Sequence, residues 1–223
     1  MSGDCCNVDY DEHFGADSAR SDILAYRAKG AEGSTRRLVD ALLAQGVEGA
    51  DVLDVGGGVG VVHLELLKAG AAAAVDVDAS SPYLETAQAE AEELGFGDRT
   101  TYRHGDFVAL SEEVPAADVV TLDKVICCYP YFDALVRRSA ERARRLYGVV
   151  YPVDRWYLRL VVRILNLGTR ISGSAYRAYV HPERQVDGLI RAAGLEPAYR
   201  HRGWFWQTLV YRRVTPAPVP VST

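Results

Sequence analysis

The chain has 223 residues, of which 48% are hydrophobic and 25% are charged, and its formal net charge is −5 at pH 7. This length and composition predict one folded domain of ordinary size. Because duplex binding usually needs a cationic face, the acidic balance argues against nucleic acid as the main partner.

Two further features of the sequence predict a cytoplasmic protein. No apolar run reaches the ~18 residues of a membrane-spanning helix, and residues 1–30 lack the basic and apolar regions of a secretory signal. Four cysteines stand in two adjacent pairs, Cys5-Cys6 and Cys127-Cys128, which do not make a disulfide framework and fit a reducing compartment. Because neighbouring side chains of a strand point to opposite faces, we expect Cys127 and Cys128 to be buried free cysteines, and no metal site.

A glycine-rich motif follows the first predicted strand. Residues 51–60 read D-V-L-D-V-G-G-G-V-G, and the helix after them is expected to begin at about Val61. Glycines let the backbone turn sharply and approach a ligand, and Gly56, Gly58 and Gly60 carry the pattern D-x-G-x-G-x-G. A dinucleotide-binding G-x-G-x-x-G motif would need glycine at position 61, which is valine. Asp54 repels pyrophosphate but suits the ammonium and sulfonium charges of S-adenosylmethionine, which we therefore expect as the cofactor.

The next predicted strands also end in acids. Residues 71–78 form a small apolar strand that ends about 20 residues after the motif, where such folds place a carboxylate on the ribose hydroxyls. Asp78, followed by Ala79, is the first choice for this role, and Asp76 is the alternative. After a strand at 101–104, Asp106 and Phe107 stand where an acid can accept the adenine amino group. A fourth strand at 119–123 ends with Asp123 in the expected substrate cleft.

The alternation of strands and helices predicts an α/β protein with a Rossmann-like, doubly wound sheet and helices on both faces. We expect about seven strands, mostly parallel, with a fifth strand from about Val149 and an antiparallel C-terminal edge hairpin around Arg202-Gly203. The predicted helices cover about residues 18–29, 35–45, 61–68, 82–94, 131–144 and 182–193.

This order resembles the class I S-adenosylmethionine-dependent methyltransferases over about residues 34–213, and most of all the magnesium-protoporphyrin O-methyltransferases and their relatives. The resemblance rests on Asp123 followed by 126–130 (I-C-C-Y-P), on 150–152 (V-Y-P), on 177–182 (R-A-Y-V-H-P), and on Phe14 and Tyr26. The porphyrin enzymes carry an I-H-Y-P segment whose histidine is implicated in catalysis. Here Cys128 precedes Tyr129-Pro130 and one extra residue is present, so a porphyrin substrate does not follow.

The resemblance implies a methyltransferase domain at 34–213 with a lid insertion at about 154–178, an N-terminal arm at 1–33 over the active site, and a disordered tail at 214–223. It implies methyl transfer from S-adenosylmethionine, which leaves S-adenosylhomocysteine, to a hydrophobic small molecule of secondary metabolism, at oxygen. An acceptor hydroxyl needs a proton acceptor. The candidate catalytic residues are Tyr26, Asp123, Cys128, Tyr129 and His181.

The segment 155–177 has two interpretations. Arg155, Arg159 and Arg163 are spaced four residues apart along an apolar helix, which fits either a solvated face or a lid that makes peripheral membrane contact through 155–170. The oligomeric state is left as monomer or homodimer.

Three alternatives to O-methylation remain open. In a C-methyltransferase acting on an electron-rich alkene or indole, Trp156, Trp204, Phe205 and Trp206 would line a cation-tolerant pocket. A nicotinamide-dependent dehydrogenase is disfavoured by Asp54 and the missing third glycine. A non-catalytic S-adenosylmethionine-binding protein would keep the motif without turnover.

Overall fold

The computed structural model describes residues 14–171, 173 and 176–214. Cys5, Cys6, most of the predicted tail and the first part of the predicted arm lie outside these ranges. The strands β1 to β7 are Asp51–Val55, Ala73–Asp78, Thr100–His104, Ala117–Asp123, Ala143–Pro152, Leu195–Arg202 and Trp206–Arg213. The described α-helices, α1 to α8, are Ala16–Lys29, Gly33–Leu43, Val61–Lys68, Ser81–Glu93, Phe107–Leu110, Phe132–Arg142, Trp156–Ile171 and Glu183–Ala192.

The seven strands form one sheet in the order β3-β2-β1-β4-β5-β7-β6. β1 to β5 are parallel, and β7 runs antiparallel to both β5 and β6. This arrangement confirms the predicted Rossmann-like fold with its C-terminal edge hairpin. The chain order reverses at β1, which lies between β2 and β4, and ligands of such sheets bind in the crevice at the carboxyl ends of these strands.

The boundary between α6 and β5 differs from the prediction. The expected helix over 131–144 ends at Arg142, and β5 begins at Ala143 rather than near Val149. Arg144 and Arg145 are exposed and look like the polar end of a helix in the sequence. Pairing with β4 makes these residues part of a strand. Ala143 pairs with Ala117 and Leu146 pairs with Val119, with a register shift between Ala117 and Val119.

Both faces of the sheet are covered, so its central strands are buried on both sides. In β5, every residue from Leu146 to Pro152 is buried. Gly148 has no room for a side chain, because a Cβ there would lie 2.7 Å from Leu38 Cδ1 of α2. Helix α1 packs on α4 over the carboxyl ends of the strands, with Ala19 and Tyr26 in this contact cluster. This packing positions α1 above the crevice.

Helix α7 is largely exposed. Only Leu158 and Val162 of it are buried, while Trp156 is 77% exposed. Arg159, on the predicted arginine stripe, pairs with Asp154 just before the helix. No helix in the described ranges is long and apolar enough to cross a membrane.

Candidate functional site

A cavity of about 570 Å³ opens at the carboxyl ends of β1, β2 and β4, beneath α1. The glycine loop between β1 and α3 forms its floor, and the residues after β2, β3 and β4 form its walls. Of the residues proposed from the sequence, eleven line it: Tyr26, Asp54, Gly56, Gly58, Asp78, Ala79, Asp106, Phe107, Asp123, Cys128 and Tyr129. Gly60 and His181 do not.

The glycine loop forms a cradle that side chains would fill. Gly56, Gly58 and Gly60 have φ angles of +66°, +59° and +85°. A Cβ at Gly56 would lie 2.6 Å from Val125 Cγ2, and one at Gly60 would lie 2.8 Å from the His63 ring. Gly57, which the motif leaves unspecified, would place a Cβ 2.5 Å from Asp76 Oδ1. At Gly56, Gly57 and Gly60, a close neighbour therefore leaves no room for a side chain. At Gly58, the positive φ angle favours glycine.

Asp54 lies at the end of β1 beneath this loop. Its Oδ1 accepts a hydrogen bond of 2.7 Å from the Thr121 hydroxyl, and its Oδ2 lies 3.0 Å from His63 Nδ1. Both oxygens are thus engaged by the protein. These bonds join β1, β4 and α3. Asp54 also lines the cavity, so its expected contact with the cofactor's ammonium stays a prediction. No motif in the sequence points to His63.

The two candidate ribose acids have different surroundings. Asp78 lines the cavity, and its carboxylate accepts the N–H groups of Gly58 at 3.0 Å and Ser80 at 2.8 Å. Ser80 is also the N-cap of α4. Asp76 is completely buried behind Gly57 and does not reach the cavity. Burial and the nearby charges of Asp54 and Asp78 hold the pKa of Asp76 well above its usual range.

Asp106 and Tyr129 are joined across the cavity wall. The Asp106 carboxylate caps α5 by accepting the Val108 N–H at 3.0 Å, and it accepts the Tyr129 hydroxyl at 2.9 Å. Phe107, the first residue of α5, lies beside them. The hydroxyl of Tyr129 is engaged with an acid, and this bond positions the Asp106 carboxylate at the cavity.

Asp123, at the end of β4, belongs to a polar cluster that also contains Thr35 and Lys124. The Thr35 hydroxyl donates to Asp123 Oδ2 at 2.5 Å, and Lys124 Nζ donates to Thr35 Oγ1 at 2.8 Å. The other carboxylate oxygen of Asp123 is buried without a hydrogen-bond partner among the described residues. Burial raises the pKa of Asp123 although the charge of Lys124 opposes this. Thr35 lies 88 residues from Asp123, so no sequence motif could pair them.

Cys127 and Cys128 do not lie on a strand as expected. They end a 3₁₀ turn, Ile126–Cys128, and this turn brings their sulfur atoms within 3.7 Å of each other on the cavity wall. The Tyr176 hydroxyl lies 3.0 Å from Cys128 Sγ. The hydrogen bond between the thiols lowers the pKa of Cys128 and raises that of Cys127. The described residues contain no cluster of three metal-ligating side chains.

Tyr26 and His181 have structural partners. The Tyr26 hydroxyl donates to Glu65 at 2.8 Å and accepts from Lys68 at 2.7 Å, and burial raises its pKa to about 12. His181 donates to the Ile126 carbonyl at 2.9 Å and stacks on Phe132 at 4.2 Å between ring centroids. Burial lowers the pKa of His181. A role for His181 as base does not fit its position outside the cavity.

Comparisons with known proteins agree with this geometry. A family model described as a methyltransferase domain matches residues 52–147. No curated protein sequence is significantly similar to the chain. Among solved structures, magnesium protoporphyrin IX methyltransferase from Synechocystis PCC 6803, with bound S-adenosylhomocysteine, is 24% identical; the match covers 81% of each chain with a TM-score of 0.65.

Two other solved structures share the fold. An O-methyltransferase family 2 protein from Planctomyces limnophilus, in complex with apigenin, is 22% identical; the match covers 89% of this chain and 62% of that one, with a TM-score of 0.66. The (4+2)-cyclase SpnF is 18% identical, with coverage of 79% and 80% and a TM-score of 0.59. Residues 52–147 therefore match a methyltransferase domain, and the chain shares its fold with solved methyltransferases, of which one holds S-adenosylhomocysteine.

Proposed function

We propose that the protein transfers the methyl group of S-adenosylmethionine to an oxygen atom of a hydrophobic small molecule. The observation that carries this proposal is that one cavity combines the glycine cradle and two strand-end carboxylates with an apolar wall. Val125, Leu135 and Trp206 belong to that wall. Such a cavity suits a nucleoside cofactor and a second, apolar ligand together.

The residues of the cavity fit the cofactor. Gly56, Gly57 and Gly58 line the cavity without side chains, so a ligand can approach their backbone closely. Asp78 has lone pairs left beyond its two backbone bonds and would accept the ribose hydroxyls, with Ala79 beside it. Asp106 and Phe107 would receive the adenine. When bound, S-adenosylmethionine supplies a methyl group that its sulfonium has already made electrophilic.

The protein must then position the acceptor, exclude water and accept a proton. Asp123 is our candidate for the proton acceptor, because one of its oxygens is buried at the cavity without a partner in the described ranges and its pKa is raised by burial. Tyr26 is a poorer candidate, since its hydroxyl is held by Glu65 and Lys68. Cys128 and Tyr129 line the cavity and would contact the acceptor.

The C-methylation alternative receives less support. It needed an aromatic pocket, but Trp156 and Trp204 are 77% and 74% exposed, and of the four aromatic residues only Trp206 lines the cavity. A non-catalytic S-adenosylmethionine-binding protein would have the same cavity, so only a measurement of turnover distinguishes it from the enzyme that we propose.

We also propose the wider organisation expected from the sequence. Residues 1–33 would form an arm over the site, which the position of α1 supports, and 154–178 would form a lid within the domain at 34–213, followed by a tail at 214–223. The exposed apolar side chains of α7 support peripheral membrane contact through 155–170. We expect a cytoplasmic enzyme of secondary metabolism, as a monomer or homodimer.

Calorimetric titration with S-adenosylhomocysteine, followed by transfer from methyl-labelled S-adenosylmethionine to a panel of hydrophobic phenols, carboxylic acids and alkenes, tests the proposal. We expect saturable cofactor binding and label in an O-methyl product. Absence of binding would refute the cofactor site. Binding without transfer to any member of the panel would favour the non-catalytic alternative, and label on carbon would favour C-methylation.

A further inference from the structure

Lys124 is the one lysine or arginine among the described residues that line the cavity. The same wall carries six acids: Asp22, Glu32, Asp54, Asp78, Asp106 and Asp123. The acidic neighbours attract the Lys124 ammonium. An oxyanion in the cavity would bind to the same ammonium, because it is the positive group of the wall. The sequence motifs do not point to Lys124, which directly follows Asp123 at the end of β4.

The backbone of Lys124 is strained. Its φ angle is +65°, and it is the one residue other than glycine with a positive φ in the described part of the chain. A lysine pays a conformational cost there because its Cβ crowds the following carbonyl. Two contacts hold this conformation: the Lys124 N–H donates to the Val150 carbonyl at 2.9 Å, and Cys127 Sγ donates to the Lys124 carbonyl at 3.1 Å. The fold thus holds Lys124 in an unfavourable conformation at the cavity.

The ammonium of Lys124 retains binding capacity. Its Nζ donates to Thr35 Oγ1 at 2.8 Å and lies 3.6 Å from Asp123 Oδ2 and 5.9 Å from the Trp206 ring centroid. The side chain is 40% exposed. An ammonium has three hydrogens, of which Thr35 accepts one and the ion pair with Asp123 engages a second. The third hydrogen is available to a ligand.

The position of Lys124 separates it from the nucleoside end of the cavity. Asp78 ends β2 and Asp106 follows β3, and both strands lie on one side of β1 in the sheet. Lys124 follows β4 on the other side, and its ammonium faces Thr35 on α2 and Trp206 on β7. An oxyanion that reaches Lys124 is therefore expected to come from the acceptor, since the adenosine portion of the cofactor lies on the other side of β1.

We propose that Asp123 and Lys124 form a base–cation pair for a neutral phenolic or enolic acceptor, with Asp123 taking the hydroxyl proton and Lys124 binding the oxygen as it becomes negative. This inference rests on the proposed function. The acceptor O–H bond breaks, an O–CH₃ bond forms, the S–CH₃ bond breaks to leave a neutral sulfide, and the proton remains on Asp123 until solvent removes it. A permanently anionic acceptor fits less well, because the other five acids of the wall would repel it.

The test uses 4-nitrophenol, whose ionised form absorbs visible light, titrated against pH in the complex with S-adenosylhomocysteine. In the wild type we expect bound 4-nitrophenol to ionise at least about one pH unit lower than in free solution, which is a roughly tenfold preference for the anion. Lys124→Met and Lys124→Asn should lose this shift, and Lys124→Arg should keep most of it. Lys29→Met, an exposed lysine of α1, is the matched control.

Apart from glycine, asparagine is among the residues that best tolerate positive φ, so Lys124→Asn removes the charge without adding strain. Absence of the shift in the wild type, or its persistence in both Lys124→Met and Lys124→Asn, overturns the proposal. Tighter binding of benzoate than of benzamide to the same complex also overturns it, because it would indicate a permanently anionic acceptor.

The carboxylate of the cofactor is the other source of an oxyanion, and 5′-methylthioadenosine, which lacks it, distinguishes the two. If Lys124→Asn weakens S-adenosylhomocysteine roughly tenfold or more but leaves 5′-methylthioadenosine unchanged, Lys124 serves the cofactor and the proposal fails. Wild-type protein that binds no S-adenosylhomocysteine would instead refute the proposed function itself.

Discussion

The Asp54 carboxylate and the His63 imidazole are joined by a buried contact of 3.0 Å between Oδ2 and Nδ1 beneath the glycine loop. The pair links the end of β1 to the first turn of α3, and the His63 ring fills the space beside Gly60. The loop is therefore shaped by a side chain behind it as well as by its own glycines.

Gly60→Ala should lower both stability and cofactor affinity. The new Cβ would lie 2.8 Å from the His63 ring at a φ of +85°. We expect a loss of more than about 2 kcal/mol in the free energy of unfolding, since a clash adds to the cost of the left-handed backbone. Gly46→Ala is the control, because Gly46 has a similar φ of +81° with nothing within 4 Å. Equal losses in urea unfolding would mean that the His63 contact is unimportant.

Asp78→Ala should weaken S-adenosylhomocysteine by roughly 1–3 kcal/mol, because hydrogen bonds from the ribose to a partly desolvated carboxylate are lost. Calorimetry measures this change. Glu85→Ala, on the following helix α4 and absent from the cavity wall, serves as control. Unchanged affinity for Asp78→Ala would remove it from the cofactor site.

Asp76 predicts a pH dependence of stability. Its folded-state pKa lies well above 3.8, so the folded protein keeps a proton that the unfolded chain releases above that pH. The contribution of Asp76 is fully present below about pH 3.8 and is lost as the pH rises through the folded-state pKa. Asp76→Asn mimics the protonated side chain, so its stability relative to the wild type should increase with pH in this window. Parallel stability curves from chemical denaturation would contradict the assignment.

Tyr26→Phe should retain methyl transfer within a few-fold while losing roughly 1 kcal/mol of stability, because it removes hydrogen bonds to Glu65 and Lys68 rather than a proton acceptor. Turnover with the best acceptor of the panel and thermal unfolding measure the two effects. Loss of transfer with intact stability and cofactor binding would make Tyr26 catalytic.

Cys128 should react with iodoacetamide faster than Cys127 at neutral pH. The hydrogen bond from Cys127 lowers the pKa of Cys128 and increases its thiolate fraction. Peptide mass spectrometry of a Cys5→Ser, Cys6→Ser variant separates the two sites. S-adenosylhomocysteine should slow both reactions if it occupies the shared cavity. Faster alkylation of Cys127 would show that the pair is polarised in the opposite direction.

The fold was predictable from the sequence, because it depends on patterns of residues that are close together in the chain. The alternation of strands and helices predicted the fold. Boundaries that depend on pairing were less accurate: β5 begins six residues before the predicted position because Ala143 pairs with Ala117 of β4.

The cavity was predictable only in part. The motif points to Gly56, Gly58 and Asp78, since strand-end acids and glycines recur at fixed spacing. Thr35, His63 and Lys124 carry no such pattern, because their importance comes from neighbours distant along the chain or on another element. The cysteine pair was expected on opposite faces of a strand, whereas a 3₁₀ turn brings both sulfur atoms to the cavity wall.

By itself, the sequence determined the fold class, the cofactor loop and the reaction class, because these depend on residue types at short, fixed separations. The tertiary structure decided which side chains meet. It joined the carboxylate of Asp54 to His63, placed His181 outside the cavity, and joined Asp123 to Thr35 across 88 residues. Such contacts depend on how helices pack on the sheet, which no local pattern of the chain encodes.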